Sequence, residues 1–237
     1  MKILALETSA KAVSVALIED GIILASAYQN TGLTHSRTLM PMVEGMLANA
    51  EIPKTAVAAI AVAQGPGSFT GIRIGVSAAK GLAFALNIPA VGVSTLEAMA
   101  QNLTHCDGTI VCAMDARRSQ VYNAIFTVKD NTFTRNCDDR AIALADLAAE
   151  LQATPTPIYI VGDGGKLAYD YLTDQGLSVI LAPPHLQMQQ AIGVGLCAQQ
   201  ALANGDAGDS AALTPNYLRL SQAERERNER LKKETTQ

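Results

Sequence analysis

The 237-residue sequence has no tryptophan and only 4% aromatic residues, so its core must be filled by aliphatic and small side chains. Its four cysteines, Cys106, Cys112, Cys137 and Cys197, contain no Cys-x-x-Cys pair, and its three histidines, His35, His105 and His185, contain no His-x-x-x-His. Those spacings build protein-held zinc sites, so no metal site is expected, and the cysteines read as reduced, buried thiols of a cytosolic protein. A basic excess is also missing. With 18 Lys+Arg against 22 Asp+Glu the net charge is −4, and a chain that grips nucleic acid unaided usually carries a basic surface. Any contact with RNA is therefore expected to pass through a partner. No apolar run reaches about 18 residues, so no membrane span is expected. The N-terminus enters a strand directly, and no cleaved leader is expected.

What is present is a 49% hydrophobic, 17% charged chain, long enough for two lobes of about 110 residues each. Ile3 to Glu7, Val13 to Ile18 and Ile22 to Tyr28 read as three strands, with the Glu19–Gly21 turn between the last two. His35 to Ala50 shows apolar residues at helical spacing, with Pro41 in its first turn or at a kink. Ala59 to Ala63 is a buried strand. A glycine-rich loop and a helix over Thr70–Leu86 follow, and Val91 to Ser94 is a further strand.

The pattern then restarts. Aligning Glu7 on Asp115 brings Ala5 onto Ala113, Val13 onto Val121, Ala16 onto Ala124 and Leu17 onto Ile125. Further on, Ala61–Gly65 matches Ile160–Gly164 in role: strand, glycine turn, helix. The reading is an α/β protein with duplicated βββαβα units. Two such lobes, each with an acid at the end of its first strand, describe the two-lobed actin-like ATPase fold (the ribonuclease H-like, ASKHA class). The expected division is an N-terminal lobe over 1–108, a C-terminal lobe over 109–220 and a charged tail over 221–237, whose residues show no apolar stripe.

In a working enzyme of that architecture Glu7 would position a metal or water, and Thr8 and Ser9 would cup a phosphate. Glu7 and Asp115 together can orient Mg²⁺ across a cleft, or both can be structural strand-end residues; no base or metal-ligand cluster accompanies them. Gly65 and Gly67 permit turns that a side chain would block, and Ser68 or Thr70 can cap the following helix. The loop lacks the Gly-Lys-Ser/Thr ending of a Walker A motif. Glu7, Thr8, Ser9, Gly65, Gly67 and Asp115 are thus read as a weak or vestigial nucleotide site, without catalytic residues. Arg117 and Arg118, at a hairpin tip, can bind phosphate, bind a partner's carboxylate, or be solvated.

The helices carry more apolar surface than one lobe requires. Ile72, Val76, Ala79 and Ala83 form a seam, Gly71 and Gly75 allow close approach, and Leu39, Met42, Val43 and Met46 repeat the excess on the first helix. These ten residues are the expected interface with another chain, burial within the lobe being the alternative.

The segments ILALETS (from Ile3), HSRTLMP (from His35), GPGSFTGIRIG (from Gly65), GVSTLEAMA (from Gly92), DARRSQVY (from Asp115) and PNYLRL (from Pro215) run in order along nearly the whole chain. Together they resemble the TsaB (YeaZ) family. The resemblance implies a cytoplasmic subunit needed to make threonylcarbamoyladenosine at position 37 of tRNAs that read ANN codons. It implies a metal-bearing catalytic partner of the same fold, TsaD, and a further ATPase partner, TsaE; TsaC supplies the threonylcarbamoyl-adenylate. A homodimer through the helices over His35–Ala50 and Thr70–Leu86 is expected from their surplus apolar faces. The tRNA would be met only through the complex, no cofactor is required, and weak ATP or ADP binding is allowed. TsaD-like proteins carry a His-x-x-x-His pair on the first helix; here that helix offers His35, with Leu39 at the second position. Glu7 stands where many relatives have Asp. The expected role is a non-catalytic scaffold that TsaD requires. The alternatives are an active ATPase or small-molecule kinase working through Glu7 and Asp115, and a peptidase, which would need a metal.

Overall fold

A computed structural model describes residues 1–130, 132–155, 157–206 and 210–219; the charged tail lies outside the described residues. The first sheet starts as an antiparallel meander of β1 (Lys2–Glu7), β2 (Val13–Glu19) and β3 (Ile22–Gln29). Helix α1 (His35–Asn49) leads to β4 (Ala59–Gly65), and α2 (Phe69–Leu86) to β5 (Ala90–Ser94). Both strands run parallel to β1, giving the order β3-β2-β1-β4-β5. Pro41 sits inside α1, and Ser68 caps α2, accepting the Gly71 amide at 3.3 Å. After α3 (Thr95–Ala100) the plan repeats with β6 (Gly108–Asp115), β7 (Gln120–Lys129), β8 (Thr132–Arg135), β9 (Arg140–Ala143), α4 (Leu144–Leu151), β10 (Ile158–Val161), α5 (Gly165–Asp174) and β11 (Ile180–Leu181). The second sheet is ordered β11-β10-β6-β7-β8, with β9 added beside β7. This is the duplicated, two-lobed actin-like architecture.

The two hairpins match less closely than the sequence comparison assumes. Glu7 faces Ser14 across β1 and β2, whereas Asp115 faces Val121 across β6 and β7, so the second turn is one residue shorter. Ala5 pairs with Ala16, but Ala113 pairs with Asn123 rather than its neighbour Ala124. A one-residue offset puts a side chain on the other face of a sheet. Ala16 thus shares a core with Ala5, while Ala124 lies in a different cluster from Ala113. Asn123, fully buried at that register position, donates from Nδ2 to the Cys112 carbonyl at 2.8 Å and accepts Arg140 Nε at 3.1 Å.

Each face of the first sheet has its own core. On one face Leu4, Leu6, Val15 and Leu17 meet α1 and α2. The residues expected at an interface are here: Leu39, Val43, Met46, Ile72, Val76, Ala79 and Ala83 are all buried in this cluster, and Met42 is half-buried against it. Gly71 and Gly75 face inward too: a Cβ on either would collide with Thr8, at its carbonyl oxygen and its hydroxyl respectively. The periodicity is that of an amphipathic helix on its own sheet; spacing reveals a stripe but not what covers it. The same geometry disposes of α2 as a membrane span. At 18 residues and a mean hydropathy of 1.2 it just reaches the length and apolarity of one, but Arg73 and Lys80 interrupt the apolar run and its apolar seam is spent on the sheet.

On the opposite face Ile3, Ala5, Ala61 and Ala63 pack against Ala191, Val194 and Ala198. These belong to α7 (Ala191–Ala203), which follows the one-turn α6 (Pro184–Gln187). The expected boundary at 108/109 falls just inside β6, which begins at Gly108, and α7 returns to pack on the first sheet. The lobes are further clasped by Arg135, which donates to Glu97 and Asp139 at 2.8 Å each and lies 4.8 Å over the Phe126 ring. Asp139 also accepts the Ser94 hydroxyl, at 2.6 Å.

Candidate functional site in the inter-lobe cleft

The carboxyl ends of β1 and β6 and the N-terminus of α2 converge on a cavity of about 550 Å³ between the lobes. Of the sequence candidates, Ser9, Gly67 and Asp115 line it, joined by Ser68, Thr70 and Arg117. Thr8 does not reach it: its hydroxyl donates to the Gly71 carbonyl at 2.7 Å, tying the end of β1 to α2. Gly65 serves the chain itself, since a Cβ there would collide with the Asn216 carbonyl, whose residue donates its amide to Gln64 O at 2.7 Å. Gly67 allows the loop to lie against the Ser9 carbonyl, which accepts the Ser68 amide at 2.7 Å.

Glu7 lies behind the cavity wall, fully buried. One carboxylate oxygen accepts the Ser9 amide at 2.5 Å, while Oε2 has no partner among the described residues. Burial pushes the Glu7 carboxyl up to about 7; the Ser9 hydrogen bonds oppose the rise and the Asp163 charge adds to it. Asp115 is exposed on the rim, accepting the Arg117 amide at 2.7 Å. The expected pair is thus split between a buried acid and an exposed one. Asp163, which the sequence reading passes over, stands between them electrically. It lines the cavity, takes Gln189 Nε2 at 2.9 Å, and is raised above the ordinary aspartate value by burial and the Asp115 charge.

Lys11, Tyr122 and Arg219 are further polar cavity residues that the sequence reading missed. Arg219 reaches across to the Ala116 carbonyl at 2.6 Å, at the end of a segment whose Tyr217 ring stacks on Phe69 at 4.4 Å. The signal for Asp163 is the Gly-Asp-Gly-Gly run after β10; that for Arg219 is an arginine in the PNYLRL segment, whose final Leu220 lies outside the described residues. Arg117 lines the cleft but Arg118 does not, and Arg117, Arg118 and Ser119 all hold positive φ (64°, 56° and 54°), a run of left-handed conformation without a glycine. Among the described residues no three His, Cys, Asp or Glu side chains group to hold a metal. His35 Nε2 lies 2.7 Å from the Ala10 carbonyl and must donate to it, and Leu39, one turn on, is buried in the apolar core.

A family model for TsaD, tRNA N6-adenosine threonylcarbamoyltransferase, matches residues 29–226. The tRNA threonylcarbamoyladenosine biosynthesis protein TsaB of Bacillus subtilis is 33% identical over 228 residues, 94% of this chain and 96% of its own length. The chain belongs to this family, in its TsaB branch. TsaB of Escherichia coli is 34% identical over 180 residues, covering 75% of this chain and 78% of the relative. Among solved structures, a Pseudomonas aeruginosa protein with similarity to the peptidase YeaZ superposes with a TM-score of 0.79 at 30% identity, over 92% of this chain and 99% of that one. Membership of the TsaB branch places the chain in tRNA threonylcarbamoyladenosine biosynthesis.

Proposed function

We propose that this chain is a non-catalytic subunit that a TsaD-type transferase requires to place threonylcarbamoyl on adenosine 37 of ANN-decoding tRNAs. The observation that carries the reading is the first helix. The one histidine at the position of a TsaD-like metal pair spends its Nε2 on the Ala10 carbonyl, and its would-be companion is the buried Leu39. Glu7 supports the same reading: it is fully buried behind the cavity wall, and burial raises its carboxyl to about 7. A peptidase reading would need a metal, and among the described residues no three His, Cys, Asp or Glu side chains group to hold one.

The partner surface is the outward side of the two helices, not the seam buried beneath them. On α2 it is the stripe Ser77, Gly81, Phe84 and Ala85, with Phe84 86% exposed; on α1 it includes Pro41, Gly45 and Ala48. An aromatic side chain amid small residues suits a helical face of another actin-like protein. The same surface serves a second copy of this chain, so homodimer and heterodimer compete. TsaE joins that assembly, tRNA meets the chain only through it, and the assembly works in the cytoplasm. A weak ATP or ADP site without turnover fits the cleft, where Lys11, Arg117 and Arg219 have no carboxylate partner within ion-pair distance among the described residues.

Phe84→Glu combined with Ser77→Arg is expected to weaken TsaD binding and self-association at least about 10-fold, or roughly 1.4 kcal/mol, without moving the melting temperature. Asp115→Ala is expected to leave reconstituted threonylcarbamoylation intact at saturating TsaD. Loss of modification in an Asp115→Ala chain that still binds TsaD, together with ATP turnover by the isolated wild type, would replace this reading with the kinase one.

A further inference from the structure

Four hydrogen bonds hold the short turn that forms one wall of the cleft, and three of them lead to the two partner-facing helices. Thr8 Oγ1 donates to Gly71 O in α2, the Ser68 amide at the cap of α2 donates to Ser9 O, and His35 Nε2, in the first residue of α1, donates to Ala10 O, each at 2.7 Å. The bond from the Ser9 amide to Glu7 stays within the strand end. Ser9, Ala10 and Lys11 all line the cavity, so a displacement of either helix reaches the cleft wall directly.

The His35 contact differs in kind from the others. The α2 bonds run through main chain and a buried threonine, whereas the α1 bond rests on one half-buried imidazole wedged among three elements. Its Cδ2 stands 3.4 Å from where a Cβ at Gly71 would be, so the ring touches α2 as well as the turn. Its other nitrogen, Nδ1, is buried with no partner, which leaves Ala10 O as the one hydrogen bond of the ring among the described residues. We propose that His35 is a positioning residue that couples the outer α1/α2 surface to the cleft turn, so that a partner seated on the helices resets the Ser9–Lys11 wall. Helix shifts of about 1–2 Å are common at such interfaces, and a hydrogen bond already at 2.7 Å weakens steeply over that distance. The inference rests on the partner surface proposed above.

The test is amide NMR of the ¹⁵N-labelled chain titrated with a TsaD-type protein. The Lys11 amide shares a peptide group with the Ala10 carbonyl and reports its hydrogen bond; the Phe84 amide reports the partner surface. In the wild type both resonances should move with one binding curve. In His35→Ala the Phe84 shift should persist while the Lys11 shift is lost. His35→Gln, whose Nε2 lies the same number of bonds from Cα as the imidazole Nε2, should restore the Lys11 shift, whereas His35→Asn, which places its N–H nearer the Nδ1 position, should not. A merely structural histidine would not sort glutamine from asparagine in this way. If Lys11 stays still in the wild type while Phe84 moves, or moves equally in His35→Ala, the coupling is wrong although the partner surface stands. If no binding is seen at all, the partner surface is wrong and the coupling falls with it.

Discussion

Gly75→Leu is expected to yield a chain that does not reach the folded state, rather than a folded chain that has lost its partner. A Cβ at Gly75 would collide with the Thr8 hydroxyl and stand 3.2 Å from Val62 Cγ2, and both neighbours belong to the buried end of the first sheet. The leucine must displace β1 or β4, or push α2 off the sheet. Overpacking of this sort costs about 1–3 kcal/mol where the core can adjust and more where the obstacle is backbone-anchored, against a total stability of about 5–15 kcal/mol. Thermal melts followed by circular dichroism will read it. Gly75→Ala makes the argument discriminating. On an exposed helix that change stabilises by nearly ~1 kcal/mol; here it should lower the melting temperature. Adding Thr8→Ala removes the colliding oxygen, at the expense of the 2.7 Å bond to Gly71 O, and should recover part of the loss. Such a non-additive pair would show contact between the two positions. If Gly75→Leu melts like the wild type but no longer binds TsaD, the glycine faces a partner after all.

The interface residues show where the limit of reading a sequence lies. The seam Ile72–Val76–Ala79–Ala83 is legible as a stripe, and so is the surplus of small residues around α2, because helical periodicity is written into the chain. Whether a stripe meets a sheet or another protein depends on β1 and β4, which are distant in sequence, and on Gly71 and Gly75 allowing Thr8 to approach. The duplication was legible in the first strands, where Glu7 and Asp115 align, but not in the second, because turn length sets register and one missing residue there exchanges the faces. At the cleft, the strand-end acid and the hydroxyl of Ser9 were readable from composition and position. Asp163 stood in a glycine-rich run and Arg219 in the PNYLRL segment, but the influence of Asp163 comes from burial near Glu7 and Asp115, and Lys11 belongs to no local pattern that announces a cavity.

The buried acid gives the largest expected pH effect. Glu7 titrates near 7 in the folded chain, against 4.5 when unburied. Between those values the folded state holds a proton that the unfolded state has released, so Glu7 penalises folding progressively as pH rises. Its contribution is undiminished below about pH 4.5 and is lost as pH climbs through about 7. The gap corresponds to about 3 kcal/mol at full ionisation, at 1.36 kcal/mol per unit. Glu7→Gln should abolish this term while keeping an oxygen to accept the Ser9 amide, and the neighbouring Asp163 charge favours an N–H in place of the unpartnered Oε2. Urea unfolding of both chains from pH 5 to pH 8.5 is the measurement. The variant should be close to the wild type at pH 5 and pull ahead by a few kcal/mol at the alkaline end. The difference between the two curves reads Glu7 together with its coupling to Asp163, because neutralising Glu7 also relieves the repulsion on Asp163. Parallel curves would mean that Glu7 is charged and satisfied throughout, by a cation or by the cleft's own lysine and arginines. The carboxylate would then be available for metal chemistry, and the case for a chain without catalysis would lose its electrostatic support.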